Sequence, residues 1–278
     1  MKRLIPFFML MLLLLVACAA PTAVPTGTAP AALTTPGIPT ALPHPITITV
    51  FADDSLSNSF AQMAADVQAS HPGLIVKIHF GDTQALRKEI EQGAQADVFA
   101  SADPAEVAAL AAGNYLDAQS SSAFLVNQLV VVLPALNTAN LSSLQDLTRP
   151  GLKLVLAADQ TTLGKYSQQA LDKLDKTLGD GYKANLLKNV SYEQDVSQVL
   201  RTIQLGKADA GIVFFSDSSA ATNLPTIQIP NESNLLAKYT LAVLSKSANP
   251  GLARAFVDYV LSPNGESILQ KWGFLQDR

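Results

Sequence analysis

The sequence predicts an α/β protein of two lobes, each a mainly parallel sheet flanked by helices, with a hinge between them. Three observations carry this expectation. From Ile46 onward, short apolar runs of period 2 alternate with runs of period 3.6, the pattern of strands interleaved with covering helices. The longest strand-like run, Phe124 to Pro134, is interrupted by polar Asn127 and Gln128, as expected where a strand crosses between lobes. A late strand-like run, Tyr239 to Leu244, follows the second lobe and returns the chain to the first. The first lobe is therefore expected to be discontinuous, 46–126 with 236–278, and the second to span 127–235.

In order, Ile46 to Ala52 reads as a strand, and Leu56, Phe60, Met63, Ala64 and Val67 mark one face of a helix ending near Ala69. Leu74 to Phe80 is the next strand, followed by a helix carrying Leu86 and Ile90. Ala96 to Ala100 is short and wholly apolar apart from Asp97, as a buried strand should be. A helix with Val107, Leu110 and Ala111 stops near Gly113. Beyond the crossing strand, Leu152 to Ala157 is a strand, Gly164 to about Leu178 a helix, and Val196, Val199, Leu200 and Ile203 line another helix. Ala208 to Phe215 and Thr226 to Ile229 complete the second lobe. Leu252, Phe256, Val257, Val260 and Leu261 form a helix face, and Ile268, Leu269 and Trp272 a last one past Pro263.

The first residues read differently. Lys2 and Arg3 precede an apolar run from Leu4 to Ala20, the layout of a secretory signal, at the short limit of what a membrane span needs. Leu15-Val16-Ala17-Cys18 resembles a bacterial lipobox, which implies a signal peptide at 1–17 and lipid on Cys18; the alternative is ordinary cleavage that releases a soluble protein. A lone cysteine cannot form an internal disulfide. Residues 18–45 are rich in Pro, Thr, Ala and Gly with no Asp, Glu, Lys or Arg, so they read as an extended tether. The expected location is outside the cytoplasm, held to a membrane by the lipid.

The formal net charge of −4 becomes more negative once Lys2 and Arg3 leave with the signal, and no basic stripe is present, which excludes nucleic acid as a partner. Catalytic constellations are equally absent from the pattern. There is no Gly-x-Ser-x-Gly elbow, His44 lies in the tether, His71 precedes Pro72 in a turn, and His79 alternates within a strand. Asp97 and Asp103 flank a buried strand and read as structural caps rather than an acid–base pair. The protein is thus expected not to be an enzyme, an exported serine hydrolase being a remote alternative, and no cofactor or cationic metal is expected.

What chemistry the pattern does offer lies at strand-to-helix seams. Ser55 follows the first strand and Thr83 follows the second, each placing a hydroxyl beside unpaired helix N–H groups, an arrangement suited to an anion.

Several stretches together resemble the molybdate-binding proteins of ABC importers, a branch of the type II periplasmic binding proteins. They are Val50-Phe-Ala-x-x-Ser-Leu56, Gln92-Gly-Ala-x-Ala-Asp-Val-Phe-Ala-Ser-Ala-Asp103, Asn127-x-Leu-Val-Val-Val-Leu-Pro134, Gly164-Lys-Tyr166, Asp195-Val-x-Gln-Val-Leu200, Gly206-Lys-Ala-Asp-Ala-Gly-Ile-Val213, Asn249-Pro, Ala253-x-Ala-Phe256 and Gly273-Phe274. The resemblance implies a monomeric receptor that closes on molybdate or tungstate and hands it to a permease. It implies oxyanion contacts at Ser55, Thr83, Leu163, Val196 and Phe214. Leu163 and Val196 would donate backbone N–H groups. Phe214 departs from the family's tyrosine and lacks the phenolic hydroxyl, unless neighbouring Ser216 supplies a donor instead. Asp54, beside Ser55, is expected to point away from the cleft. Phe214 keeps two alternatives open, another oxyanion such as sulfate or phosphate, or a small organic solute.

Overall fold

The computed structural model describes residues 44–276, with 118, 222 and 223 excepted. The expected signal segment, Cys18 and the tether up to residue 43 lie outside the described residues.

The alternating Ile-Thr-Ile-Thr start of β1 (Ile46–Asp53) gives way to a buried stretch from Val50 to Asp53. One 3₁₀ turn, Asp54–Leu56, joins it to α1 (Ser57–Ser70), which buries Phe60, Met63, Ala64 and Val67 along one stripe. Then come β2 (Leu74–Gly81), α2 (Thr83–Glu91), β3 (Val98–Ser101) and α3 (Pro104–Ala112). Because side chains alternate across a strand, Val50, Ala52, Val98 and Ala100 join the core beneath α1, while Phe51 and Phe99 join a second core with Leu86 and Ile90 of α2 and Val107 and Leu110 of α3. The sheet is thereby covered on both faces.

After β4 (Ser122–Val132) the chain forms β5 (Leu154–Ala157), α4 (Thr162–Leu178), α5 (Tyr182–Leu186), β6 (Val190–Glu193) and α6 (Val196–Gln204). It continues through β7 (Ala210–Phe214), α7 (Phe215–Ala220), β8 (Thr226–Gln228), β9 (Leu236–Val243), α8 (Pro250–Val260) and α9 (Pro263–Lys271). The strand order is β2-β1-β3-β9-β4-β7-β5-β6, with β8 also on β4. The outer strands are parallel: β2 and β3 to β1, and β6 and β7 to β5. Where mainly parallel sheets were expected, the central pairings of β4 with β7, β8 and β9, and of β9 with β3, are antiparallel. The reason is that β4 runs out of the first sheet and β9 runs back into it.

β4 pairs with β9 up to Gln128 and with β7 from Leu129, so it changes partner directly after the two polar residues that interrupt its apolar run. The carboxyl ends of β1, β2, β5 and β7 all lead into helices or helical turns, and the crevice outside such ends is where open α/β sheets bind ligands. No described helix is long and apolar enough to cross a membrane.

Candidate functional site

At these ends a small pocket is lined by Asp53, Asp54, Asp82, Thr161, Thr162, Leu163, Asp195, Val196 and Phe214. Four capped turns and helices build it, with Phe214 added from the end of β7. Asp53 caps the 3₁₀ turn after β1, Asp82 caps α2, Thr161 caps α4 and Asp195 caps α6, each through its side chain. Three of the residues expected to contact an oxyanion, Leu163, Val196 and Phe214, line the pocket directly. Leu163 and Val196 stand in the first turn of α4 and α6, and among the described residues neither N–H has an acceptor in the protein. Unpaired N–H groups at the positive ends of two helix dipoles are anion donors.

The close approach of α4 to β5 rests on Gly164. A Cβ at this position would lie 2.0 Å from the carbonyl oxygen of Ala158 and 2.9 Å from that of Ala157. Only glycine lets the first turn of α4 press against the strand end and carry Thr162 and Leu163 into the pocket.

The hydroxyls of Ser55 and Thr83 are buried, and both already hold an anion, which is the carboxylate of Asp53. Ser55 Oγ donates to Asp53 Oδ1 at 2.6 Å, Ser55 N to the same oxygen at 3.1 Å, and Thr83 Oγ1 to Asp53 Oδ2 at 2.6 Å. Ala102 N in turn donates to Thr83 Oγ1 at 3.1 Å. Burial pushes the Asp53 carboxyl above its usual range, against the lowering effect of these hydrogen bonds.

Behind Ser55 lies Tyr239 of β9, fully buried, with its hydroxyl 2.7 Å from Ser55 Oγ. Since Ser55 spends its proton on Asp53, Tyr239 donates to Ser55 and accepts from Asn127 Nδ2 at 3.3 Å. Asn127 Nδ2 also donates to Ser216 Oγ at 2.8 Å. Ser216 therefore faces Asn127 and does not line the pocket, so it does not take over the donor role that Phe214 lacks. Phe214 packs edge-on against Tyr166 and Tyr239, with ring centroids 5.9 and 6.2 Å away. Tyr166 is half-buried, and burial pushes its hydroxyl up to about 12.

Tyr239→Phe is expected to destabilise the protein by about 1–2 kcal/mol, because it removes one partner from both Ser55 and Asn127 in a buried network. Urea denaturation measures this, and an unchanged midpoint would show the network to be dispensable.

Asp54 corrects an expectation. It lines the pocket instead of pointing away, because the tight 3₁₀ turn places it beside Asp53 at the strand end. Burial pushes its carboxyl up to about 7, with the neighbouring charges of Asp53, Asp195 and Asp82 adding to the rise. Asp82 reaches across the cleft: its Oδ1 accepts from Gln84 N and Ala85 N of its own helix, and its Oδ2 accepts from Thr162 N of α4 at 2.6 Å. Lys165 of α4 makes a second crossing, 3.2 Å from Glu106 and 3.7 Å from Asp103 on the α3 side.

The residues weighed for catalysis are engaged elsewhere. Asp97 accepts from Thr49 N at 2.7 Å and from Ser247 Oγ at 2.5 Å, and Asp103 caps α3. His79 meets Glu89, and His71 meets the carbonyl of Val67. Among the described residues no group of three or more His, Cys, Asp or Glu is arranged to hold a metal ion.

Two sheets joined by shared strands, with helix N-termini of both facing one cleft, define a two-lobed binding protein of the periplasmic type. The sequence pattern of the bacterial extracellular solute-binding proteins matches residues 48–275, and the chain belongs to that family. Among its relatives is the molybdate-binding protein ModA of Mycobacterium tuberculosis, 35% identical over 228 residues that cover 82% of this chain and 84% of the relative. The molybdate-binding protein ModA of Escherichia coli is 28% identical over 234 residues, covering 82% and 88%. In fold, the periplasmic molybdate-binding protein of Azotobacter vinelandii superposes with a TM-score of 0.73 at 20% identity, over 83% of this chain and all of that one. All three are named as molybdate-binding proteins.

Proposed function

We propose that the protein is an exported, lipid-anchored receptor that captures molybdate, and tungstate with it, between two lobes and delivers it to an ABC permease. The observation that carries this reading is the convergence of unpaired helix N–H groups at Leu163 and Val196 on a pocket whose lining includes Asp53, which accepts from the Ser55 and Thr83 hydroxyls, although neither Ser55 nor Thr83 lines it. The relatives named molybdate-binding support the choice of anion. In this reading lobe 1 comprises 46–126 and 236–278, lobe 2 comprises 127–235, and Ser55, Thr83, Leu163, Val196 and Phe214 surround the oxyanion. The receptor acts as a monomer and performs no catalysis. Ligand holds the closed state by bridging donors of both lobes, and a smaller sulfate would not reach all of them at once.

Calorimetry with molybdate, tungstate, sulfate and phosphate tests the assignment. Tight molybdate and tungstate binding with weak sulfate is expected; tight sulfate or phosphate binding with no response to molybdate would overturn it. A second reading, a receptor of the same fold for another oxyanion or a small organic solute, is favoured by the carboxylates that line the pocket, since a ligand carrying its own proton donates to a carboxylate. Phe214→Tyr separates the two. Phe214 lines the pocket, and a hydrogen bond from the added hydroxyl to a charged group should tighten molybdate binding by about tenfold. No gain in a titration of the variant would place the oxyanion away from Phe214.

A further inference from the structure

Every ionisable side chain that lines the pocket is acidic, and the four differ in how they are satisfied. Asp53 accepts from Ser55 N, Ser55 Oγ and Thr83 Oγ1. Asp82 accepts from Gln84 N, Ala85 N and Thr162 N, and Asp195 from the backbone and side-chain nitrogens of Gln198. Asp54 accepts none among the described residues, although it lines the same pocket as the other three and feels the charge of each. Thr162 supplies an independent sign that the pocket is built for a ligand. It lines the pocket, is 1% exposed, and its hydroxyl has no partner.

A dianion entering this pocket meets a carboxylate with no donor of its own, in partly buried surroundings that screen the repulsion less than bulk water does. Protonation resolves this, turning an acceptor-only carboxylate into a donor. We propose that Asp54 binds one proton as the cleft fills, so that capture of a tetrahedral dianion is coupled to uptake of one proton and the Asp54 carboxyl O–H donates to the bound oxyanion. The proton comes from solvent and forms the Asp54 O–H bond; no other bond changes. The inference rests on the reading of this cleft as an oxyanion site.

The groups facing Asp54 all favour the same direction. Asp53 ends β1, Asp82 heads α2, Asp195 heads α6, and the buried carboxyl of Asp217 on α7 is itself pushed well above its range by burial and by Asp53 and Asp54. With Asp54 near neutrality before ligand arrives, the proton is available at ordinary pH and scarce above it.

Titration calorimetry of the full chain with sodium molybdate between pH 6 and 8.5, in buffers of different ionisation enthalpy, tests the coupling. The expected result is uptake of about one proton per molybdate at pH 8, and a Kd that rises roughly tenfold per pH unit above pH 7. Asp54→Asn, which keeps a donor but does not titrate, should flatten the profile and abolish the buffer-dependent heat. A Kd equal at pH 6 and 8.5 with no buffer dependence would overturn the proton while leaving molybdate capture standing. Retention of the full pH slope by Asp54→Asn would also overturn it. Absence of molybdate binding at every pH, with saturable binding of calcium, would overturn both the proton and the oxyanion reading. Should Asp54→Asn not fold, the buffer-dependent heat of the parent chain decides alone.

Discussion

Asp53→Ala should tighten molybdate binding by about ten- to a hundredfold. The change runs against the usual effect of deleting a buried polar residue. Asp53 holds the hydroxyls of Ser55 and Thr83 at 2.6 Å each, so both donors are spent on the protein's own carboxylate. Removing it frees them and deletes a buried negative charge from the cleft at the same time. Each hydrogen bond to a charged acceptor is worth roughly 1.5–3 kcal/mol, and about 1.4 kcal/mol is tenfold in Kd, so recovery of even one donor gives the lower figure. Against this stands the lost cap of the 3₁₀ turn, about 1 kcal/mol of stability. Calorimetry should show the gain in affinity and urea denaturation the modest loss. Unchanged or weaker binding would mean that Asp53 organises the site instead of occupying it.

Gly164→Ala should act in the opposite direction. The new Cβ would meet the carbonyl of Ala158 at 2.0 Å, and backbone on both sides has no free rotamer to yield. The first turn of α4 must then withdraw from the end of β5, taking with it the N–H groups of Thr162 and Leu163. Overpacking of this kind destabilises by about 3 kcal/mol, and loss of donors to a charged ligand weakens binding by roughly a hundredfold. Thermal unfolding and a molybdate titration read the two effects separately. A variant with parental melting and affinity would show that α4 tolerates displacement.

The order of strands and helices was legible in the sequence because the buried stripes are long and regular. Phe60, Met63, Ala64 and Val67 lie where their spacing places them, and polar Asn127 and Gln128 mark the point where β4 changes partner. What escaped notice has physical reasons. β6 carries Ser191, Tyr192 and Glu193 at a sheet edge where little is buried, so no apolar alternation announces it. α5 and α7 are too short for a 3.6 period to show.

The seam positions of Ser55 and Thr83 were legible, and their bonds to Asp53 were not. Ser55 and Thr83 stand at strand-to-helix seams as expected, and the caps there are Asp53, two residues before Ser55, and Asp82, directly before Thr83. Two consecutive aspartates closing a buried strand are an unusual local choice, and that was the signal available for an acidic cleft. Tyr239 left a weaker trace. It sits in a strand whose other residues explain its burial, and only the spatial meeting of β9 with the β1 turn gives its hydroxyl a role.

The bond from Thr162 N to Asp82 Oδ2 carries a kinetic consequence. A carboxylate fixed to the receptor competes for this helix end at the millimolar effective concentrations typical of short tethers. Under the proposed oxyanion reading, an anion drawn to this N–H would have to displace the carboxylate, which would return as the anion leaves. Asp82 would thus act as a built-in exchange partner that slows loading and hastens unloading.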